Sequence, residues 1–324
     1  MAMDPDLSRI RQGAQQALAE LDNLSQRHAD CTDDQLRSTL ADIAQRKSGQ
    51  AGRMLDWMRQ RDGTVGSEPP AASEPAEAAP ETQTHAGDAP ATTAEGGEVI
   101  EVREVAPELI VFRVARPRDF QFVPGQYVKV GVGDVRRSFS IVSAPHEPFL
   151  EFFVELVPGG QMSGQLRELK VGDQVDLAAP KGGLELDANY PHHLMVATVT
   201  GINPFISMLR DYLHSGRSGH HFHLMHGASY QNEHGYREEL EGLAAAHPDI
   251  LTYIPTVSRP DEAANRGWTG SAGRVDTLVD AYVSDTGLTS RDTLAYACGH
   301  SGMLEAVSQQ LQPKGFHLKT ESYD

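Results

Sequence analysis

From His192 onward the chain alternates short apolar strands with amphipathic helical stretches, and this alternation restricts the fold more than any other feature. The strands read LMVAT, HFHLMHG, ILTYIPTVS and TLAYACG; the intervening stretches read PFISMLRDYLHSG, REELEGLAAA, RVDTLVDAYV and GMLEAVSQQLQ. Strand–helix–strand order predicts crossover connections, hence a parallel sheet covered by helices on both faces. Ligands of such sheets lie at the carboxyl ends of the strands.

A different pattern precedes it. Between Glu98 and about residue 190 the segments VIEVREVA, LIVFRVAR, QYVKVGV, RSFSIVSA, LEFFVELV and QVDLAAP are β-rich and separated by Pro or Gly turns. That spacing predicts a small antiparallel barrel or sandwich. Residues 66–97 are dominated by Pro, Ala, Glu, Thr and Gly, a composition that buries too little apolar surface to offset its ordering entropy, so a linker is expected. Residues 1–65 read as a helical region, with Leu7, Ile10, Ala14, Leu18, Leu21 and Leu24 at spacings of three and four. The whole reads as an α+β multidomain chain: a helical segment, a linker, an antiparallel β-barrel domain at 98–190 and an α/β parallel-sheet domain at 191–324.

Charge and cysteine content narrow the function. Lys and Arg number 28 against 45 Asp and Glu, a formal net charge of −17. An acidic chain repels nucleic acid and anionic lipid, so neither is expected as a partner. Part of that charge lies in residues 66–98, which carry no Lys or Arg. The two cysteines, Cys31 and Cys298, are too few for an iron–sulfur cluster and make no disulfide framework, which fits a reducing cytoplasm. No apolar run reaches the length of a membrane span.

Four constellations carry chemistry. In Arg137-Ser138-Phe139-Ser140, alternation puts Arg137 and Phe139 on one face, where an Arg can hold a phosphate and an aromatic can cover a planar ring. In Val157-Pro158-Gly159-Gly160-Gln161-Met162-Ser163, paired glycines open a short helix whose N–H groups can cradle a phosphate. In Thr198-Val199-Thr200-Gly201-Ile202-Asn203-Pro204-Phe205, a strand enters a tight turn and Pro204 opens a helix, which brings Thr200 and Gly201 to its positive end. Cys298-Gly299-His300-Ser301-Gly302-Met303 also joins a strand to a helix. Taken singly, each has an ordinary structural reading.

In this order and spacing, over residues 98–324, the four resemble the ferredoxin/flavodoxin–NADP reductase superfamily. The resemblance implies an FAD-binding barrel followed by a nicotinamide-nucleotide domain. Arg137 would hold the FAD pyrophosphate, Phe139 cover the isoalloxazine and Ser140 bond near N5, with Ser138 between them. Val157, Gly159, Gly160, Gln161, Met162 and Ser163 would form the second phosphate turn. Pro180, Gly182 and Gly183 resemble the segment that joins the domains. Thr200, Gly201, Pro204 and Phe205 match the nucleotide turn, but Val199 stands where the family has its first Gly and Asn203 where it has Ala. Valine resists a positive φ, so a turn of different shape is expected there. Cys298, with Gly299, would lie beside the nicotinamide C4. Glu321 and Tyr323 resemble the terminal pair in which the aromatic stacks on the flavin, with Asp324 as one extra residue. Ser258, Arg259 and Arg274 match positions that recognise the adenosine 2′-phosphate, Ser229 replaces a third Arg, and Tyr236 is expected to stack on adenine.

The resemblance implies an FAD-dependent reductase that moves electrons between NADPH and a separate ferredoxin, flavodoxin or oxygenase component. An NADH-dependent reductase component of an oxygenase system is the alternative, as is a non-catalytic flavin- and nucleotide-binding regulatory subunit. His221, His223 and His226 read as structural histidines, with no metal site. Residues 4–63 are expected to mediate homodimerisation or partner docking.

Overall fold

The computed structural model describes residues 95–323. The helical region expected at 1–65 and the linker up to residue 94 lie outside the described residues, as does Cys31.

The first half is a six-stranded antiparallel sheet in the order β4-β3-β6-β1-β2-β5. Its strands are β1 (Glu95–Ala106), β2 (Leu109–Ala115), β3 (Tyr127–Val132), β4 (Val135–Ser140), β5 (Phe149–Glu155) and β6 (Gln174–Leu177), with helix α1 (Gln161–Glu168) before β6. The Val142 N–H donates to the Glu151 carbonyl at 2.9 Å, which brings the run after β4 back to β5 and gives the sheet its barrel-like form. Val99, Phe112, Val114, Val128, Val130, Leu150 and Phe152 fill the interior from alternate positions of the strands. Two boundaries differ from the sequence pattern. β1 begins at Glu95, and Gly96 and Gly97, which look like linker, pair with Asp176 and Val175. A side chain at Gly97 would collide with Val114, so the strand requires glycine there. β4 stops at Ser140, and Ile141–Ala144 continue as buried irregular chain.

The second half is a parallel sheet in the order β10-β9-β8-β7-β11-β12. It contains β7 (His192–Thr198), β8 (His221–Ala228), β9 (Leu251–Val257), β10 (Ser271–Ala272), β11 (Thr293–Gly299) and β12 (His317–Ser322). Helices α2 (Asn203–His214) and α3 (Arg237–Ala246) contribute to one core; α4 (Val275–Thr286) and α5 (Ser301–Leu311) contribute to another. The expected fold class is therefore present in both halves. The chain leaves β7 toward β8 on one side and later returns to β11 on the other, so the strand order reverses between β7 and β11. A crevice at the carboxyl ends of these two strands is where such a sheet takes its ligand.

The halves share a core. Val111, Val142, Phe153 and Leu184 of the first pack with Ala197, Ile202, Phe205 and Tyr236 of the second. Glu151, with no exposed surface, sits at this junction. It accepts hydrogen bonds from Arg113 (2.5 Å), Arg210 (3.0 Å) and the Tyr236 hydroxyl (3.0 Å). A buried carboxylate needs such partners, because losing one leaves an uncompensated charge.

Candidate functional site

On the barrel, β4 is an edge strand with exposed Arg136, Arg137 and Ser138, followed by half-buried Phe139 and Ser140. The Arg137 guanidinium donates to the neighbouring Arg136 carbonyl at 2.8 Å and stays exposed. Phe139 is partly committed to the barrel: its ring meets Phe112 edge-on with centroids 6.4 Å apart.

The turn before α1 lies beside this strand. Gly159 adopts φ +74°, the left-handed region that favours glycine, and open space surrounds the place of a Cβ. Gly160 caps the helix with no side-chain hydrogen bond. Met162 and Ser163 turn their side chains inward, so the first turn of α1 offers outward its backbone N–H groups. A cationic edge strand next to uncapped helix N–H groups fits a dinucleotide diphosphate.

In the α/β half Thr198, at the end of β7, ties together the chain after β11 and the chain after β12. Its hydroxyl accepts from the His300 N–H at 3.2 Å, and its carbonyl accepts from the Tyr323 hydroxyl at 3.0 Å. A side chain at Gly299, whose φ is +143°, would strike that same hydroxyl. A side chain at Gly201 would collide with the Cys298 carbonyl, so glycine lets the β7 turn touch the end of β11. Cys298 itself is buried, and burial pushes its thiol well above its ordinary pKa, with Glu321 adding to the effect.

The two halves meet at Ser140 and Glu321. β12 pairs Glu321 with Cys298, and the Ser140 hydroxyl donates to Glu321 Oε1 at 3.0 Å. Burial raises the Glu321 pKa, and the Ser140 bond opposes it. Gly182, at φ +110°, is needed beside them: a Cβ there would lie 2.9 Å from the Tyr127 ring and 3.2 Å from Glu321 Oε2. Tyr323 follows, its hydroxyl tied to Thr198 and 47% of its surface exposed.

The nucleotide turn overturns one expectation. Val199 does take a left-handed conformation, φ +43°, so the turn keeps the glycine-like shape despite the substitution. For a β-branched residue this costs roughly 1–2 kcal/mol. The turn Val199–Ile202 then runs into α2, with Pro204 in the first helical positions. Asn203 is buried and crosses to the barrel: its amide donates to the Phe153 carbonyl at 2.8 Å and lies 3.5 Å from the Ser140 carbonyl. Neither role was legible in the motif, nor was that of Thr198.

At the far edge, Ser258 N–H bonds the Ala228 carbonyl and Arg259 follows. Arg259 donates to the Tyr230 hydroxyl at 2.8 Å and lies 3.6 Å from Glu262. Arg274 is exposed and lies 3.1 Å from Asp276. Tyr236 does not fit the expected role on adenine. It is buried against Phe153 with its hydroxyl on Glu151, because it precedes α3 on the core side. Tyr230, half-exposed beneath the Arg259 guanidinium, is the aromatic on the open edge. No group of three metal-ligating side chains suited to an ion occurs among the described residues.

An antiparallel barrel with a diphosphate-ready edge, joined to a parallel sheet with a ligand crevice, defines a flavin- and nicotinamide-nucleotide-dependent oxidoreductase. Comparison with known proteins agrees. Residues 97–186 match the oxidoreductase FAD-binding domain family and residues 195–309 the oxidoreductase NAD-binding domain family. Ferredoxin–NADP reductase B of Sorangium cellulosum is 31% identical over 240 residues, which cover 70% of this chain and 96% of that protein. The electron transfer component of toluate 1,2-dioxygenase from Pseudomonas putida is 31% identical over 229 residues, 69% of this chain and 65% of that longer protein. A ferredoxin NADP+ reductase from Neisseria gonorrhoeae, solved with FAD and NADP, superposes with a TM-score of 0.64 over 72% of this chain and all of that one, at 24% identity. The chain belongs to the ferredoxin–NADP reductase superfamily and is an FAD-dependent oxidoreductase. No helix among the described residues is long and apolar enough to cross a membrane.

Proposed function

We propose that the chain takes a hydride from NADPH and delivers the electrons to a separate one-electron carrier: a ferredoxin, a flavodoxin or an oxygenase component. The observation that carries this reading is the convergence of both halves on one hydrogen bond. Ser140 ends the exposed edge strand of the barrel, Glu321 lies beside the nucleotide crevice, and they are 3.0 Å apart. Bound FAD supplies a centre that accepts two electrons as hydride and returns them singly. The protein's own work is to hold, orient and protonate. Arg137 and the Gly159–Ser163 turn grip the diphosphate. Thr200 and Gly201 seat the nucleotide, and Cys298 walls the crevice. Glu321, its pKa raised by burial, exchanges a proton through Ser140. Tyr323, half-exposed with its hydroxyl on the Thr198 carbonyl, would be the aromatic that shields the flavin site.

NADH is the second reading, and one observation favours it: the two cations offered to a 2′-phosphate already face Glu262 and Asp276. The regulatory-subunit alternative rests on Val199 and Asn203, and Val199 takes the left-handed φ that a glycine would, which leaves Asn203 as its remaining support. The test is anaerobic titration of the purified, FAD-loaded chain. NADPH should bleach the flavin within seconds and outperform NADH in kcat/KM with a dye acceptor. A flavin that neither nucleotide reduces would refute the reading, and a preference for NADH would transfer it to the second form.

A further inference from the structure

The strained residue at the nucleotide turn is held from behind. His226, on β8, has no exposed surface. Its Nε2 lies 2.9 Å from the Val199 carbonyl, and its Nδ1 lies 3.1 Å from the Tyr253 hydroxyl. A carbonyl only accepts, so Nε2 carries the proton and Nδ1 accepts from Tyr253. Burial, and the nearby His234, keep this ring neutral. His234 in turn lies 3.1 Å from the His226 carbonyl, meets the His226 ring edge-on with centroids 4.7 Å apart, and stacks on Trp268 at 5.4 Å.

Val199 needs such a hold. It is the left-handed residue that opens the 3-10 turn Val199–Ile202, and a left-handed residue followed by right-handed ones aims successive N–H groups at one point, as in an anion-binding nest. Glycine would adopt this conformation freely; valine does not. We propose that His226 is a positioning residue: its Nε2–H latches the Val199 carbonyl and fixes the nucleotide-binding turn in a conformation that valine would otherwise leave. The inference rests on the nucleotide reading given above. It adds that, in this chain, affinity for the nucleotide diphosphate is set by a buried histidine that never touches it.

The test is a double-substitution cycle on the full, FAD-loaded chain, with NADP+ affinity read by calorimetry. His226→Leu should weaken NADP+ binding about tenfold, the order expected for one buried hydrogen bond. FAD content should not change. Adding Val199→Gly should restore affinity to within about threefold of the parent, because glycine needs no latch. Val199→Gly alone should bind as well as the parent or better, and His226→Gln, which keeps a donor near the Nε2 position, should stay near it. A histidine that merely fills space would give a loss that glycine at 199 does not repair. Should His226→Leu fail to fold, the paired variant should fold and bind, and its failure to do so would overturn the proposal. Unchanged affinity in His226→Leu, absence of rescue, or a tenfold loss in Val199→Gly would overturn it as well. A parent chain that binds neither NADP+ nor NAD+ would remove the nucleotide reading together with this one.

Discussion

Among the described residues the barrel half buries three polar or charged side chains, Ser143, Glu151 and Ser163, whereas the α/β half buries ten, among them His193, Asn203, His223, His226 and His234. The barrel presents Arg137 and Ser138 on an exposed edge strand over an apolar interior. The α/β half holds its turn from inside, through His226 to Val199 and Asn203 to Phe153. Buried polar networks are costly unless satisfied, but when satisfied they fix one arrangement. Ligand binding and fold stability should therefore separate in the barrel and run together in the α/β half.

Acid should show the difference most strongly. Burial lowers the pKa of His193 to about 3 and of His223 to about 4, and lowers those of His226 and His234. All four lie in the α/β half. The unfolded chain binds protons at these groups below about pH 6.5 while the folded one does not, so stability falls as pH drops from there toward the folded values. His223 alone should account for about 2 kcal/mol between pH 7 and pH 5. Urea unfolding at the two pH values measures it. His223→Leu should flatten the dependence by that amount, and an equal slope in variant and parent would break the comparison.

The barrel offers the converse. Arg137→Ala removes an exposed side chain that bonds its neighbour's carbonyl, so the melting temperature of the FAD-free chain should not move. FAD affinity should fall by about 1.5–3 kcal/mol, the range of a charge-assisted contact. Gel filtration followed by flavin absorbance reads the retained cofactor. A variant that keeps its flavin would separate Arg137 from the diphosphate.

This contrast also explains what could be read before the structure. Strand and helix positions were legible where apolar periodicity was strong, as in HFHLMHG and PFISMLRDYLHSG. β12 was not, because HLKTES is an edge strand with no fully buried residue. Gly96 and Gly97 were misread because close packing against Val114, not flexibility, selects glycine there. Ser140 and Glu321 were legible as members of short motifs. The burial of Tyr236 was not legible, since its hydroxyl partner Glu151 is 85 positions away on β5. Asn203 looked like a departure from a pattern because its partners, Phe153 and Ser140, are 50 and 63 positions away.

The arginine pair tests the open edge of the α/β half, where Arg274 is exposed and Arg259 half-buried. Arg259→Ala with Arg274→Ala should shrink the NADPH to NADH ratio of kcat/KM about tenfold, equivalent to roughly 1.4 kcal/mol. Steady-state rates with a dye acceptor give the ratio. Because Glu262 and Asp276 already face these cations, a ratio that does not change would assign the 2′-phosphate to other groups.

Asn203→Ala should have the smallest effect and the one most specific to the junction. The amide bonds the Phe153 carbonyl at 2.8 Å, and losing that bond costs about 0.5–1.5 kcal/mol. The fold should survive, since Arg210 still bonds Glu151 and the Ser207 hydroxyl still donates to the Ser143 carbonyl at 2.7 Å. What changes is the seating of the first turn of α2 against the end of β4, and therefore the distance from nucleotide turn to flavin edge. Hydride transfer is steep in that distance, whereas nucleotide affinity depends on the turn itself. Stopped-flow reduction should accordingly slow several-fold at saturating NADPH while the NADP+ dissociation constant stays within about twofold of the parent. If affinity falls and the reduction rate does not, Asn203 supports the turn from within as His226 is proposed to do, and the junction between the halves is set by Arg210, Glu151 and Ser207 instead.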